Sequence, residues 1–442
     1  MASGPEVASS YGSMQHEELS PAVWDARRRT LALVEDLSDE QLFGPRLNIV
    51  NPLLWEIGHV AWFQERWALR EALGHRPMLE NGDELYDSSA IPHDVRWDLP
   101  LPSREQTLRY LLQVRDQVRE QLRAERYSKD TEYFVRLVIA HEDMHDEAFI
   151  LTRQTLGYAA LKPTLLTGDV ACASIEGHDA EVPGGGFSFG AAPEVEPFIH
   201  DNEKWAHPVE VRPFRIAKLP VTQREFARFV DEGGYQQRSF WTDEGWQWRV
   251  GAAAEQPVYW RGSKHRWERR HFDTWVPLEP DWPMVHVNWY EANAYCRFSR
   301  RRLPTELDWE VSAAAMPDGR GGLAPGKRRY PWGNEPPTPD RANLDARAGE
   351  CVAVAALSAG DSAFGCRQMI GNVWEWTQST FHPYPGFSAD PYKDYSQPWF
   401  GTHKVLRGGC WATRSRLIRN TWRNFYTPER RDILAGFRTC AL

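Results

Sequence analysis

The chain has 442 residues, 42% of them hydrophobic and 26% charged, a composition that buries sizeable cores and excludes both a single small module and a disordered polymer. Its 52 Lys and Arg stand against 61 Asp and Glu, for a formal charge of -9, so no basic excess favours a nucleic acid as partner. No stretch approaches the roughly 20 apolar residues of a membrane span. Residues 1–15, without a basic flank or an apolar run, read as a disordered leader and not as a secretory signal.

Helical spacing begins with Trp24, Leu31, Val34 and Leu37, for which Ser20-Pro21 offers an N-cap and a first turn. A second run follows Asn51-Pro52 and carries Leu54, Ile57, His59, Val60 and Phe63. NGDELYDSSAIPHDVRWDLPLPS then forms a long connection, and Tyr86, Trp97 and Leu101 make it a packed one. A third run from Ser103 repeats Leu108, Leu111, Leu112, Val114 and Val118, and a fourth, from about Thr131, ends at Leu156 with Gly157 as its stop. Four such runs over residues 16–160 predict a four-helix bundle, a fold that builds sites from side chains aimed into its core. Residues 161–180 read as a linker. Beyond it, short strands and turns such as VPGGGFSFG, YPWGNE, GNVWEWT, VLRGGCW and AGFRT, with helices near Thr222–Glu232 and Trp289–Arg300, predict a loop-rich α+β domain over 181–442. Six cysteines (Cys172, Cys296, Cys351, Cys366, Cys410, Cys440) form no C-x-x-C pair, which argues against a disulfide framework or zinc ribbon and for a reducing cytoplasm.

The fourth run holds His141-Glu-Asp-Met-His145-Asp-Glu147. Imidazoles at i and i+4 share one helix face and can reach one ion. His59, in the apolar setting WEIGHVAWF, is the candidate third ligand, and Glu147 is the candidate to orient a ligand from behind. Against this stands the plainer reading of His59 as a hydrogen-bonded core residue. Three neutral imidazoles leave a divalent ion its full charge and open positions, which suits catalysis better than structural closure. Such ligands do not choose among Zn, Fe, Ni and Cu, but the ion would bind an incoming thiol or selenol as its anion.

WEIGHVAWF, HEDMHDE, RRLPTELDWE, GNVWEWT, VLRGGCWAT and AGFRT together resemble the ergothioneine-pathway sulfoxide synthases and the related selenoneine synthases, over nearly the whole chain. The resemblance implies a DinB-like four-helix bundle followed by a formylglycine-generating-enzyme-like domain of C-type-lectin topology. It further implies a non-haem Fe(II) enzyme that uses O2 to join sulfur or selenium to the imidazole carbon of hercynine, with His59, His141 and His145 as iron ligands. The family's catalytic tyrosine matches Tyr384 in FHPYPGF, with Tyr426 as the alternative, and its substrate-side Asn-aromatic pair matches Asn424 and Phe425. Trp411, Trp422 and Phe425 are candidates for an aromatic face against the quaternary ammonium.

Three positions depart from members that use γ-glutamylcysteine. Of two arginines one is replaced by His93 while the other is kept as Arg96, an aspartate becomes Tyr426, and a glutamine becomes Met144. Loss of a guanidinium and an acidic group removes charge-assisted recognition of that dipeptide, and points to a selenosugar donor, as in selenoneine synthases, or to free cysteine. The rival activities are a DinB-type metal-dependent thiol transferase, formylglycine generation and a lectin-like binding module. Formylglycine generation is disfavoured because its cysteine positions hold Thr413 and Ile418. The expected partners are small molecules, with no nucleic acid and no membrane, on a monomer or weak homo-oligomer. A structural calcium ion in the second domain stays open.

Overall fold

The computed structural model describes residues 16–123, 127–163, 172–173, 175, 177–192 and 196–442. The expected leader lies outside the described residues, as does half of the expected linker. The N-terminal half is built on α1 (His16–Ala32), α3 (Leu53–Gln64), α5 (Arg104–Arg123) and α6 (Lys129–Leu156), with short α2 (Asp39–Phe43) and α4 (Gly82–Tyr86) between them. The helix starts follow from their caps: Ser103 Oγ accepts the Gln106 N–H while Gln106 returns the bond to the Ser103 N–H, and Ser128 caps α6 through Thr131 N–H. Gly157, at φ 67, ends α6 in the left-handed cap that glycine adopts without strain. The first helix departs from expectation. It starts at His16, which places Pro21 inside it, and it leaves Trp24 42% exposed instead of turned to the core.

Every residue of α3 except Leu54 is buried, as expected of a helix apolar on all sides. It runs into a wider π-helical segment, Glu65–Glu71, which carries Trp67 towards the second domain. The long connection folds into α4 and a 3-10 turn, His93–Trp97, with Tyr86 and Trp97 buried.

The C-terminal half is a set of small sheets linked by loops. β1 (Asp179–Val182) pairs with β4 (Phe214–Ala217), β2 (Gly185–Phe189) with β3 (His207–Val211), and β5 (Trp260–Ser263), β6 (Arg266–His271) and β7 (Thr274–Pro277) form a meander. The central sheet has the order β10-β9-β8-β11, from β8 (Trp374–Thr380), β9 (Lys404–Arg407), β10 (Asn424–Tyr426) and β11 (Ala435–Gly436), with β11 parallel to β8. Helices α7 (Gln223–Asp231), α8 (Asp243–Gly251), α9 (Trp289–Phe298) and α10 (Glu306–Ala314) flank these sheets.

Tryptophans and buried arginines tie the loops together. The indole nitrogens of Trp376, Trp309 and Trp289 donate to Val287 O, Glu375 and Thr377 O, so these rings supply both apolar area and a bond. Arg438 grips Glu375, and Arg407 bridges Glu306 and Glu310, all buried. One hydrophobic core runs without a break from the bundle (Leu53, Ile57, Val138) into the second half (Trp374, Trp411, Trp422), and a smaller one collects Phe187, Phe189, Trp309 and Tyr384. Among the described residues no helix is long and apolar enough to cross a membrane.

Candidate metal centre

His59, His141 and His145 converge in the bundle core, with ligand nitrogens all within 4.8 Å of one another. Among the described residues this is the one cluster of three or more metal-type ligands. The spacing on α6 brings His141 and His145 to one face, and α3 presents His59 opposite them, with His59 Nε2 3.3 Å from His141 Nε2.

Two of the three rings are fixed from behind. His59 Nδ1 lies 2.8 Å from the Tyr86 carbonyl, and His145 Nδ1 lies 2.6 Å from Glu56 Oε1. Each of those acceptors assigns the ring hydrogen to Nδ1 and frees the Nε2 lone pair for the centre. The approach of Tyr86 depends on Gly58, because a Cβ at that position would collide with the Tyr86 ring. His141 lies flat on Phe63, ring centroids 3.5 Å apart and 6° from parallel, and its Nδ1 has no hydrogen-bond partner. Burial, reinforced by the neighbouring imidazoles, holds His59 and His141 well below the usual histidine range. Three imidazoles turned to one point, two of them buried and held neutral, are a donor set of the kind a divalent ion takes, so the site fits a bound metal ion.

Glu147 does not orient a ligand. It points the other way, accepting from Trp374 Nε1 at 2.7 Å and Thr413 Oγ1 at 2.5 Å of the second half. The carboxylate behind the centre is Glu56, and the sequence carried a signal for it: it precedes His59 by three residues and so shares its helix face.

The walls are aromatic. Trp55 stacks on His59 at 4.9 Å and 10°, and the Arg96 guanidinium lies 4.0 Å above Trp55. Arg96 donates to Asn51 Oδ1, Ser88 O and Ile91 O, while His93 Nε2 meets Val50 O at 2.8 Å. Both side chains thus anchor the connection to the bundle. From the second half, the Tyr392 ring meets Phe63 at 4.8 Å and His141 edge-on at 6.3 Å, and the Tyr395 hydroxyl reaches Met144 Sδ at 3.5 Å. Phe425 joins this roof, 5.5 Å from Tyr395 and stacked on Phe381 at 4.1 Å. Asn424 bonds the backbone N–H of Phe425 through its side-chain oxygen, and Trp422 packs on Trp374 at 5.4 Å. His200, 4.5 Å from Tyr395, Tyr392 and Tyr395 were all missed from sequence; they lie in irregular segments, where no periodicity marks an inward face.

Other expected residues sit elsewhere. Tyr384 is buried in the smaller core, donating to Glu306 at 2.9 Å with Arg423 4.2 Å over its ring, and has no ring contact with the triad. That place sets it apart from the histidine cluster. Tyr426 lies beneath the Arg430 guanidinium, 5.1 Å away. Trp411 lines a separate cavity with Gln154, Phe272, Trp282 and Cys351, towards the end of α6.

The comparisons with known proteins agree with this architecture. Residues 24–148 match the DinB superfamily, and residues 174–441 match the sulfatase-modifying factor enzyme 1-like domain. The chain is thus a DinB bundle fused to a sulfatase-modifying-factor-like domain, with its histidine cluster in the bundle. It is 39% identical to the hercynine oxygenase of Mycolicibacterium thermoresistibile over 95% of this chain and 94% of that one, and 36% identical to that of Mycolicibacterium smegmatis over 96% and 98%. A formylglycine-generating enzyme of Streptomyces coelicolor is 33% identical over 59% of this chain and 87% of its own length. The chain belongs to the hercynine oxygenase family, the ergothioneine-pathway sulfoxide synthases, and is an oxidoreductase.

Proposed function

We propose that this enzyme holds Fe(II) on His59, His141 and His145 and uses O2 to join selenium, from a selenosugar, to the imidazole carbon of hercynine. The observation that carries the reading is the convergence of three imidazoles under a roof of tyrosines in a chain of this family. The new bond replaces the C–H of the imidazole carbon and the Se–H of the donor, and O2 takes up the two electrons and two protons released. When bound, the ferrous ion supplies the one-electron oxygen chemistry that side chains alone lack.

The chain's own residues do the rest. Tyr86 and Glu56 hold two of the ligand rings in one tautomer. Trp55, Phe63 and Trp67 exclude water around the centre. Burial raises the Tyr392 phenol above its ordinary range and keeps it protonated, and its ring lies edge-on to His141, so it is the proton source in this reading. Phe425 and Trp422 offer π faces to the trimethylammonium group. The donor preference is supported by His93 standing where a second guanidinium would be and by the bonds that tie His93 and the Arg96 Nη atoms to the bundle and its connection, which weakens recognition of a donor carboxylate and favours a hydroxyl-rich donor.

The test is aerobic turnover of the iron-loaded enzyme on hercynine with selenosugar, cysteine or γ-glutamylcysteine, read by product mass. Selenium in the product is expected. A sulfur product alone would move the enzyme to the cysteine or γ-glutamylcysteine branch, and no oxygen-dependent product with any donor would overturn the reading.

A further inference from the structure

Helix α6 serves three neighbours at once. His141 and His145 face His59; Glu142 and Asp146 bond Arg27 and Thr30 of α1; and Asp143, Met144 and Glu147 face the second half. On that third side Asp143 holds Arg416 with Nη2 at 2.6 Å, Met144 receives the Tyr395 hydroxyl, and Glu147 is clamped by Trp374 and Thr413. Glu147 is buried and Thr413 fully so. Cys410 completes the clamp, its N–H donating to Thr413 Oγ1 at 2.9 Å. Position 147 follows His145 by two residues, roughly 200° around a helix, so a side chain there touches neither the metal position nor the space above it.

We propose that Glu147 and Thr413 are a positioning couple, which sets the register of the tyrosine-bearing segment around Tyr392 and Tyr395 against the histidines of α6. The inference rests on the proposed reading of the triad as the oxygen-activating centre. All three histidines and both groups that fix their tautomers belong to the bundle, whereas the tyrosines belong to the second half, so the two sets meet correctly only if α6 is docked at one rotation. A buried carboxyl group that accepts two bonds from the partner half fixes that rotation better than apolar packing, because any slip leaves buried polar atoms without partners. A displacement on the order of 1 Å in reacting groups costs about a hundredfold in rate.

The experiment replaces Thr413 by Val, which keeps the shape and removes the hydroxyl, and by Ser, which restores it. In the full-length enzyme Thr413→Val should lower kcat at least about tenfold, with the Co(II) dissociation constant and the KM for hercynine each within about threefold of wild type. Hydrogen exchange should rise in the 391–400 segment and not in the 136–148 portion of α6, and Thr413→Ser should recover most of the rate. If Thr413→Val proves too unstable, Glu147→Gln, which still accepts from Trp374, reads the same quantities. Unchanged kcat and exchange, or metal affinity lost in step with kcat, would overturn the couple. The exchange and Co(II) measurements need no turnover, so a wild-type enzyme inactive on hercynine would refute the proposed function while this register is still being read.

Discussion

His59 has a consequence that a single substitution exposes. His59→Ala should abolish metal loading while the bundle stays folded; a core histidine without ligand duty would instead cost stability and leave binding intact, and metal analysis beside a melting curve separates the two. Tyr392→Phe should slow oxygen-dependent turnover about a hundredfold, the lower end of proton-donor contributions, with substrate binding kept. Tyr384→Phe should retain turnover and lose about 1 kcal/mol, the value of its bond to Glu306. His286 gives a pH signature. Burial pushes it down to about 4 from 6.5, with its Nδ1 on the Asp432 carbonyl at 2.9 Å. The folded value lies below the unfolded one, so the unfolded chain binds more protons between them. Its contribution is full above about pH 6.5 and is lost as pH falls towards 4, by about 1.4 kcal/mol per unit. Melting temperatures taken across that window should fall, and His286→Asn, which tolerates the left-handed φ of 62 there, should flatten the slope.

At the scale of elements, the close approach of α3 and α4 predicts a defect with no ligand touched. Gly58→Ala should displace Tyr86, release His59 Nδ1 and weaken metal affinity severalfold, measured as a Co(II) dissociation constant, with a smaller effect on helix content because alanine favours helix. Much of the bundle was legible: period, caps and the i, i+4 histidines of α6 follow from local physics that a sequence states directly. The start of α1 was not, because Pro21 reads as a first-turn residue and the chain continues the helix before it. Glu147 was misread for a geometric reason, since proximity in sequence to His145 puts it on another face of α6. Tyr392 and Tyr395 had no period to betray them, because they lie at a short 3-10 turn between loops.

For the whole molecule, the interface is ionic as well as apolar. Arg416 meets both Asp143 and Asp25, joining the second half to α6 and α1. Arg416→Ala would leave Asp143, which is fully buried, without its strongest partner, and should cost about 3 kcal/mol or more, seen as a drop in unfolding midpoint that Arg416→Lys only partly recovers. The order of the two halves was legible from composition and motifs, whereas their mode of docking was not, because it depends on pairs such as Glu147 with Thr413 that lie 266 residues apart.

Every ligand of the candidate centre, with both acceptors that orient the rings, comes from residues preceding 150, ahead of the whole second half in the order of synthesis. Domains emerging from a ribosome tend to fold in that same order. On the proposed reading, metal capture therefore needs only the nascent bundle, and Tyr392 and Tyr395 are added afterwards, when the second half closes over the histidines.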